Sequence, residues 1–368
     1  MSSKIYNIIM LQPNNVMIGF LCLVMIISCA NFAHADTIIV DSGESIQKVI
    51  EKAASGDIIE VKEGIYRENL EVNKKLTLRG IDDPQLQAVS EGSTINVSAD
   101  GCLIEGFEVS NSSGWLQAGI RVTSDNNIIR KNVVKDNEIG IFLNESNGNV
   151  LTNLDARTGG TGILLMRSSN NTIKDSFASC NGKYSSSDIA GIWLLGSCNN
   201  NLISGNDLFM SGPIKSGILL TESSGNWIIG NNATGSGWIS GFGIGLLESH
   251  HNEIKNNTVQ SNGVFGQGIR LMSSRGNTIS DNEASCYGPM AQSIAILQSS
   301  YNTISGNRAQ SWLWGRDMAF EGSWGNRLSG NHAERIRGHH VQAIPIPASG
   351  RHRPPGAGGF SVGLRPTV

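Results

Sequence analysis

The chain has 368 residues, a formal net charge of −3 and only 16% charged residues. This weak charge and the lack of a basic stripe exclude a typical nucleic-acid-binding protein. The four cysteines after residue 35 have no CxxC spacing, so we expect buried free thiols, not a zinc site or a disulfide framework; they are Cys102, Cys180, Cys198 and Cys286.

Residues 1–35 have the features of a secretory signal peptide. The apolar run Val16–Ser28 is too short to span a bilayer, and Ala33–Ala35 forms an A-x-A cleavage pattern. We therefore predict an exported mature chain without a transmembrane helix, located outside the cell, at the cell surface or in the periplasm. An alternative is the lipoprotein-like sequence IISC, which would anchor the protein through a lipid on Cys29.

A short amphipathic helix is predicted at residues 45–54. Ile46, Val49, Ile50 and Ala53 follow the i, i+3, i+4, i+7 pattern of one apolar helix face. One helix ahead of a stack of strands can cover the open apolar end of a solenoid. We expect it to be an N-terminal cap.

The rest of the chain repeats one unit. Each unit contains Asn-x-Ile or a close variant, and the leading asparagines are 22 to 30 residues apart. They are Asn127, Asn149, Asn171, Asn201, Asn226, Asn252, Asn277, Asn302 and Asn326. A Gly-Ile pair precedes most of them, at Gly119, Gly140, Gly162, Gly191, Gly217, Gly243 and Gly268. Nine repeat units, each expected to form one coil, can therefore be identified in the sequence.

The apolar pattern inside each unit indicates short β-strands. Apolar residues alternate, as at Ile218 and Leu220 or Ile269 and Leu271, between segments of Gly, Asn and Ser. Stacking units at about 4.8 Å would bury each Ile on the Ile of the next unit. The pattern predicts an all-β parallel β-helix over residues 36–337. We expect the asparagines to occupy corners, adopt left-handed backbone angles and hydrogen bond from coil to coil.

At this point the chain resembles a known family. The sequence SIQ at Ser45, the segment GIYRENLEVNKKLTLRG at Gly64–Gly80 and the Gly-Ile and Asn-x-Ile units are similar to the NosD-type β-helix proteins. The resemblance covers about residues 37 to 335 and implies a single-stranded right-handed parallel β-helix of about 11 coils. It implies an exported accessory factor linked to copper and nitrous oxide reductase, or a cell-surface protein. The wider pectin-lyase-like group comprises carbohydrate-binding and sugar-hydrolase repeats.

The sequence lacks the motifs that resemblance to enzymes of this fold would require. A polygalacturonase implies Gly-His-Gly, where Gly338–His340 has Gly-His-His, and an alginate-type epimerase implies Asp-Pro-x-Asp, where Asp82–Gln85 has Asp-Asp-Pro-Gln. Lyase chemistry commonly uses clustered carboxylates for calcium and a basic residue. The coils contain isolated acids instead, at Asp155, Asp175, Asp188, Asp207, Asp317 and Glu321. A polysaccharide lyase, hydrolase or epimerase, with or without calcium, is one alternative function.

The histidines do not form a copper pattern. His250 and His251 replace the Ser-Ser of other units, which is an outward turn position, and neighbouring residues on a strand point to opposite faces. We predict a solvated turn and no metal or cofactor. A NosD-like copper-accessory role is the second alternative function.

Aromatic residues recur in the loop before the Gly-Ile strand. They are Trp115, Tyr184, Trp238, Phe265, Tyr287, Trp312 and Trp314, and Trp193, Phe142, Arg121 and Arg270 are predicted in the outward position of the strand itself. Aromatic faces in a row suit the apolar faces of sugar rings, and arginines suit hydroxyls or carboxylates. The alternative is that these aromatics form small cores between loops. The unit between Asn171 and Asn201 is expanded, and its Lys183, Tyr184 and Asp188 are further candidates.

The repeat stops after Ile336. Residues 338–368 contain five of the nine prolines and no strand alternation, so we predict a disordered tail. The sequence as a whole predicts an exported protein that binds a polysaccharide or cell-envelope glycan without catalysis, through Trp115, Tyr184, Trp193, Trp238, Trp312, Trp314, Arg121 and Arg270. The identity of the glycan and the oligomeric state are not predicted.

Overall fold

The structure, a computed structural model, describes residues 35–180, 189–312 and 314–338. The predictions for residues 1–34, for Tyr184 and its neighbours, and for the tail from residue 339 lie outside these ranges. The described residues form 34 β-strands and one α-helix.

Thirteen short strands form a first sheet, called face 1, and each strand comes from a successive turn of the chain. They are β1 Thr37–Val40, β2 Ile58–Val61, β5 Thr77–Gly80, β8 Leu103–Glu105, β11 Ile128–Arg130, β14 Val150–Thr152, β17 Thr172–Lys174, β20 Leu202–Ser204, β22 Trp227–Ile229, β24 Glu253–Lys255, β27 Thr278–Ser280, β30 Thr303–Ser305 and β33 Arg327–Ser329.

The other 21 strands form a second sheet with two faces. Face 2 consists of β3 Ile65–Arg67, β6 Gln85–Gln87, β9 Glu108–Ser110, β12 Val133–Lys135, β15 Asp155–Thr158, β18 Phe177–Cys180, β25 Thr258–Asn262, β28 Glu283–Tyr287 and β31 Arg308–Ser311. Face 3 consists of β4 Leu70–Val72, β7 Ile95–Val97, β10 Ala118–Val122, β13 Ile139–Asn144, β16 Thr161–Met166, β19 Ala190–Leu195, β26 Gln267–Met272, β29 Gln292–Leu297, β32 Arg316–Glu321 and β34 Ile336–Gly338. Two long strands, β21 Asp207–Thr221 and β23 Asn232–Leu247, contribute to both faces.

Parallel pairing places equivalent residues of successive turns on one another. In face 1, Ile203, Ile228, Ile254 and Ile279 pair in sequence, and none has exposed surface. Burying each such side chain contributes about 1.5–3 kcal/mol. The inward side chains of all three faces join one core cluster along the rod. Strands β2 to β32 form 11 complete turns with all three faces, so the predicted parallel β-helix of about 11 turns is confirmed.

Helix α1, Ile46–Lys52, covers the N-terminal end of the core, inside the range indicated by the sequence. Ile46 and Ile50 are buried and belong to the core cluster. Ser45 is the N-cap, and its Oγ accepts a backbone N–H of the first turn at 3.3 Å. The Glu68 carboxylate accepts the N–H of Ile46 at 2.7 Å, so a negative charge lies at the positive end of the helix.

The repeated asparagines form a hydrogen-bond ladder inside one corner. Asn252 Nδ2 donates to Asn277 Oδ1 at 3.1 Å, and Asn252 Oδ1 accepts the N–H of Asn226 at 2.8 Å. Equivalent rungs continue from Asn127 to Asn326. A second ladder, five residues later in each coil, runs from Asn206 to Asn331. The corner asparagines therefore hold successive coils together.

The left-handed backbone angles lie one residue before the ladder asparagines, which corrects the expectation that the asparagines themselves adopt them. Asn200, Gly225, His251 and Gly276 hold these positions, with φ of 55°, 67°, 54° and 66°. The preceding residue makes the turn, and the asparagine can then direct its amide along the rod to the next coil. In each coil, one residue thus makes the left-handed turn and the next residue makes the ladder hydrogen bonds.

The corner of the first asparagine ladder also contains a ladder of serines, three residues earlier in each coil, that the sequence interpretation missed. Ser223 N–H donates to Ser249 Oγ at 3.1 Å, and Cys198 takes a rung of the same ladder, since its Sγ accepts the N–H of Ser168 at 3.4 Å. Like Cys198, Cys102 and Cys286 are buried free thiols, as expected. Cys198 therefore replaces a structural serine.

Candidate functional site

The candidate site begins with two stacked aromatic side chains at the edge of face 2. Tyr287 ends β28, and Trp312 directly follows β31 in the next coil. Because Cys286 pairs with Ser311, the residues that follow them lie one above the other. The two rings are 5.4 Å apart between centroids and 17° from parallel, and the residues are 42% and 48% exposed. They form a small flat surface that is open to solvent.

A cavity of about 280 Å³ lies beside Trp312, near the last turns of the rod. It is lined by Arg308, Ala309, Gln310, Ser311, Trp312, Asp317, His332, Glu334 and Arg335. The lining combines cationic, anionic and amide groups with one aromatic wall. Such a set can donate and accept hydrogen bonds to a polar ligand while the ring contacts its apolar surface.

Asp317 is the buried acid of this cavity, and its carboxylate is occupied by backbone donors. Oδ1 accepts the N–H of Ser311 at 2.7 Å, and Oδ2 accepts the N–H groups of Glu334 and Arg335, each at 2.9 Å. The Arg335 guanidinium also lies 3.7 Å from Oδ1. Asp317 therefore ties the last turn to the coil before it.

The outer surface of face 2 is polar over the coils that lead to the cavity. Alternate residues point outward because strand side chains alternate between faces. The outward residues are Asp207, Phe209, Asn232, Thr234, Thr258, Gln260, Glu283, Ser285, Arg308 and Gln310. Asn232 Nδ2 donates to Asp207 Oδ1 at 2.8 Å, and Arg308 Nε lies 3.9 Å from Glu283 Oε1. Hydroxyl, amide and charged groups thus continue from the aromatic edge along the rod.

The other predicted aromatics have different surroundings. Trp115 and Trp314 are almost fully exposed, at 85% and 86%. Trp193 is half-buried against a cluster on the outer side of face 3, and its Nε1 donates to Thr221 Oγ1 at 3.3 Å. The side chain of Trp238, which belongs to β23, lies outside the described residues, as does the whole of Tyr184.

The predicted arginines lie on the outer side of face 3. The Arg121 guanidinium lies over the Phe142 ring, 5.9 Å from its centroid, and that of Arg270 lies over Phe242 at 4.7 Å. Neither lines the cavity beside Trp312. Of the eight residues predicted to bind the glycan, Trp312 alone among those whose side chains the structure describes belongs to the stacked pair and the cavity; its partner Tyr287 was in the predicted aromatic row.

Sequence reasoning missed the polar lining of the cavity. Arg308 and Gln310 alternate with the buried Ala309 and Ser311, so the period of β31 could have identified them as outward residues. Glu334 and Arg335 follow the last asparagine of the second ladder, where the repeat has ended and no longer indicates which side chains point outward.

The residues around His250 do not fit a copper ion. His250 Nδ1 accepts the backbone N–H of Arg275 at 3.2 Å, so this lone pair is in use. Over residues 35–180, 189–312 and 314–338, no group of three or more His, Cys, Asp or Glu side chains could hold a metal ion. Within the same ranges, no helix is both long and apolar enough to cross a membrane.

Two family models match the chain. A right handed beta helix region matches residues 85–233, and the family described as periplasmic copper-binding protein (NosD) matches residues 183–285 and 210–344. These matches and the fold support a family of NosD-type β-helix repeats. No curated protein matches it.

Solved structures show the same fold at low sequence identity. The A-module of the Azotobacter vinelandii mannuronan C-5 epimerase AlgE4 aligns with a TM-score of 0.61 and 12% identity, over 81% of this chain and 93% of that one. The DFA-IIIase of Arthrobacter chlorophenolicus A6 aligns with a TM-score of 0.57 and 11% identity, over 85% of this chain and 100% of that one. The Dettilon tailspike protein aligns with a TM-score of 0.51 and 15% identity, over 70% of this chain and 61% of that one. At these identities the likeness concerns the fold alone.

Proposed function

We propose that this exported β-helix protein binds a polysaccharide or cell-envelope glycan at Tyr287, Trp312 and the adjoining cavity, without catalysis. The stacked, half-exposed ring pair beside a polar cavity carries the proposal. The apolar face of a sugar ring fits against an aromatic surface, and its hydroxyls fit neighbouring amides and charges. The polar outer side of face 2 offers further groups to a chain of several sugars.

Binding is favoured over catalysis because both oxygens of the buried Asp317 carboxylate already accept hydrogen bonds. A general base needs a carboxylate oxygen within hydrogen-bond reach of the proton that it removes. Both oxygens of Asp317 already accept backbone N–H groups of the last turn. A structural role for Asp317 accounts for its burial, and the cavity then serves recognition.

Affinity electrophoresis of the full chain tests the proposal, with gels that contain alginate, polygalacturonate, xylan or a β-glucan. We expect retardation by at least one glycan, and Trp312→Ala and Tyr287→Ala each to weaken it by about fivefold or more, which is roughly 1 kcal/mol. Tyr301→Ala is the matched control, because Tyr301 is also exposed and pairs with Trp324 at a centroid distance of 4.5 Å on another corner.

Equal loss of retardation in the Tyr301 variant would contradict the assignment of the site. No retardation by any of the four glycans would contradict the glycan-binding proposal. Release of reducing ends or of unsaturated products from the retarding glycan would contradict binding without catalysis.

The export part of the proposal rests on the A-x-A pattern before Asp36 and on the periplasmic description of the family. Expression in a bacterial host with an envelope fraction assay tests it. We expect a mature chain that begins at Asp36 outside the cytoplasm, whereas an unprocessed cytoplasmic chain would contradict it. A lipid on Cys29 would support the alternative of a membrane anchor.

A further inference from the structure

Among the described residues, most half-buried arginines have a carboxylate partner, but two do not. The paired ones are Arg79, Arg130 and Arg316. Arg121 and Arg270 are similarly half-buried, and no described carboxylate lies within ion-pair distance of either. Burying a charge without a partner is costly, so these two positions require an explanation.

Arg270 is the more isolated of the two. Its Nε is buried and bonds to no acceptor, and its Nη2 has only the thioether sulfur of Met272, at 2.8 Å. Sulfur is a weak acceptor, so the guanidinium has no strong hydrogen-bond acceptor among the described residues. The Phe242 ring lies against the guanidinium face, 4.7 Å away, and holds it in place.

The neighbours of Arg270 in the sheet provide no compensating group. Its register partners are Gly245 in the previous coil and Ala295 in the next coil. Both are uncharged and small. Burial accordingly lowers the pKa of Arg270, which means that the charged form is less stable there than in water.

Arg121 has the same placement with one difference. It lies over Phe142 and its Nε is also buried without an acceptor. Its register partner, however, is Asn96, whose Nδ2 donates to Glu71 at 2.6 Å. A carboxylate therefore lies two coils away on the same face, and an anion at Arg121 would face this negative charge.

We propose that Arg270 is a binding position for an oxyanion on the outer side of face 3. A carboxylate or a phosphate can accept two parallel hydrogen bonds from one edge of a guanidinium, which supplies both the missing charge and the missing acceptors. The ring of Phe242 and the small neighbours favour an anion carried on a ligand with some apolar surface. The inference is independent of sugar binding at Tyr287 and Trp312.

Calorimetric unfolding of the full chain in sodium chloride, sodium acetate and sodium phosphate, at equal pH and ionic strength, tests this position. An anion that binds the native state raises the midpoint. We expect acetate, phosphate or both to raise the wild-type midpoint by about 2 °C or more above chloride. A rise in acetate alone identifies a carboxylate, and a rise in phosphate alone identifies a phosphate.

Two substitutions at Arg270 and one control make the result specific. Arg270→Met removes the donors, and Arg270→Lys keeps the charge but not the planar fork, so both should lose the anion-dependent rise. Arg275→Met should retain it, because Arg275 is an exposed arginine only five residues away. In chloride, Arg270→Met should not lower the midpoint, since it removes an unpaired charge from the Phe242 ring.

Three outcomes would overturn the proposal. One is an unchanged wild-type midpoint in both anions. The second is the same rise in Arg270→Lys as in wild type, which would indicate an adventitious salt effect. The third is a loss of the rise in Arg275→Met, which would place the anion elsewhere. If Arg270→Met does not fold, the comparison of wild type with Arg270→Lys still decides.

Discussion

His250 Nδ1 accepts a hydrogen bond from the backbone N–H of Arg275, one coil further along the rod. The backbone N–H of His250 in turn donates to Ser224 Oγ at 3.1 Å in the previous coil. Similar side-chain-to-backbone bonds link Asn199 with Ser224 and Ser169 with Asn199. His250 is therefore a rung of an outer ladder, where other coils use serine or asparagine.

The hydrogen bond between His250 Nδ1 and the N–H of Arg275 is predicted to be sensitive to acid. Burial, followed by the charges of Arg275 and His251, lowers the pKa of His250 from its ordinary value of 6.5. The folded state thus favours the neutral ring. The contribution of His250 to the free energy of unfolding is therefore fully present above its pKa in the unfolded chain, and it is lost as the pH falls through its pKa in the folded protein. Protonation of Nδ1 would also remove the acceptor for Arg275.

We expect His250→Ser to reduce the fall in thermal midpoint between about pH 7 and about pH 5, because a serine hydroxyl accepts at either pH. Thermal unfolding by circular dichroism at a series of pH values measures this. His251→Ser is the control, since His251 lies in the turn and its ring forms no hydrogen bond with the described residues. A parallel pH profile for wild type and His250→Ser would contradict the role of Nδ1.

The asparagine ladder predicts a large cost for a single amide. Asn252→Leu removes a donor to Asn277 Oδ1 and to the Ser223 carbonyl, and it leaves the N–H of Asn226 without an acceptor. We expect a loss of about 1–3 kcal/mol in the free energy of unfolding, measured by urea denaturation. Asn232→Leu, at an exposed position of face 2, should change it by less than about 0.5 kcal/mol. A similar effect of both substitutions would show that the ladder adds nothing special.

The Gly-Ile glycines predict a steric cost that is independent of backbone angle. A Cβ on Gly217 would lie 2.6 Å from the carbonyl oxygen of Gly243 in the next coil. We expect Gly217→Ala to destabilise the protein by about 2 kcal/mol or more, because two backbones must move apart. A Cβ on Gly245 would meet only side-chain atoms of Leu219 and Phe242, at 3.1 and 3.3 Å, so Gly245→Ala should be tolerated. Thermal midpoints that fall equally in the two variants would refute this reason for the repeat.

The thiol of Cys286 should be chemically silent in the folded protein. Burial raises its pKa to about 12, so almost no thiolate is present at neutral pH. We expect alkylation by iodoacetamide at about pH 8 to be slower than in the unfolded chain by a factor of about 100 or more. Peptide mass mapping measures the modification at this residue. Fast modification of the native protein would show that the coil opens locally.

The repeat determined how much of the fold could be predicted. Period-two isoleucines such as Ile254 and Ile279 and the spacing of the asparagines indicate stacked coils, because only stacking buries such short strands. The exact residue that turns the chain could not be predicted, since His251 and Gly276 share no chemical type. They share only a position before the ladder residue.

The candidate site was harder to predict, because it depends on which neighbours the loops bring together. Trp312 was identified by its place before a strand, and Tyr287 by the same rule. The two rings are in contact because Cys286 pairs with Ser311 in the sheet. The sequence spacing is consistent with this register, but it did not show that these two loop aromatics, and not those of other loops, would stack. The distribution of charge around Arg270 could not be predicted from the sequence, because it depends on the positions of all three faces.

The ladders also affect how the chain reaches its native state. Asn201 illustrates their local character: its amide contacts Asn226, 25 residues ahead, and the carbonyl of Ser168, 33 residues back. Such contacts join only neighbouring coils, so each coil can form on the one before it without closing long loops. Assembly is then one-dimensional growth, in which a formed coil is the template for the next. Helix α1 closes one end of this array, so we expect forced unfolding to advance as a front of successive coils from the opposite end.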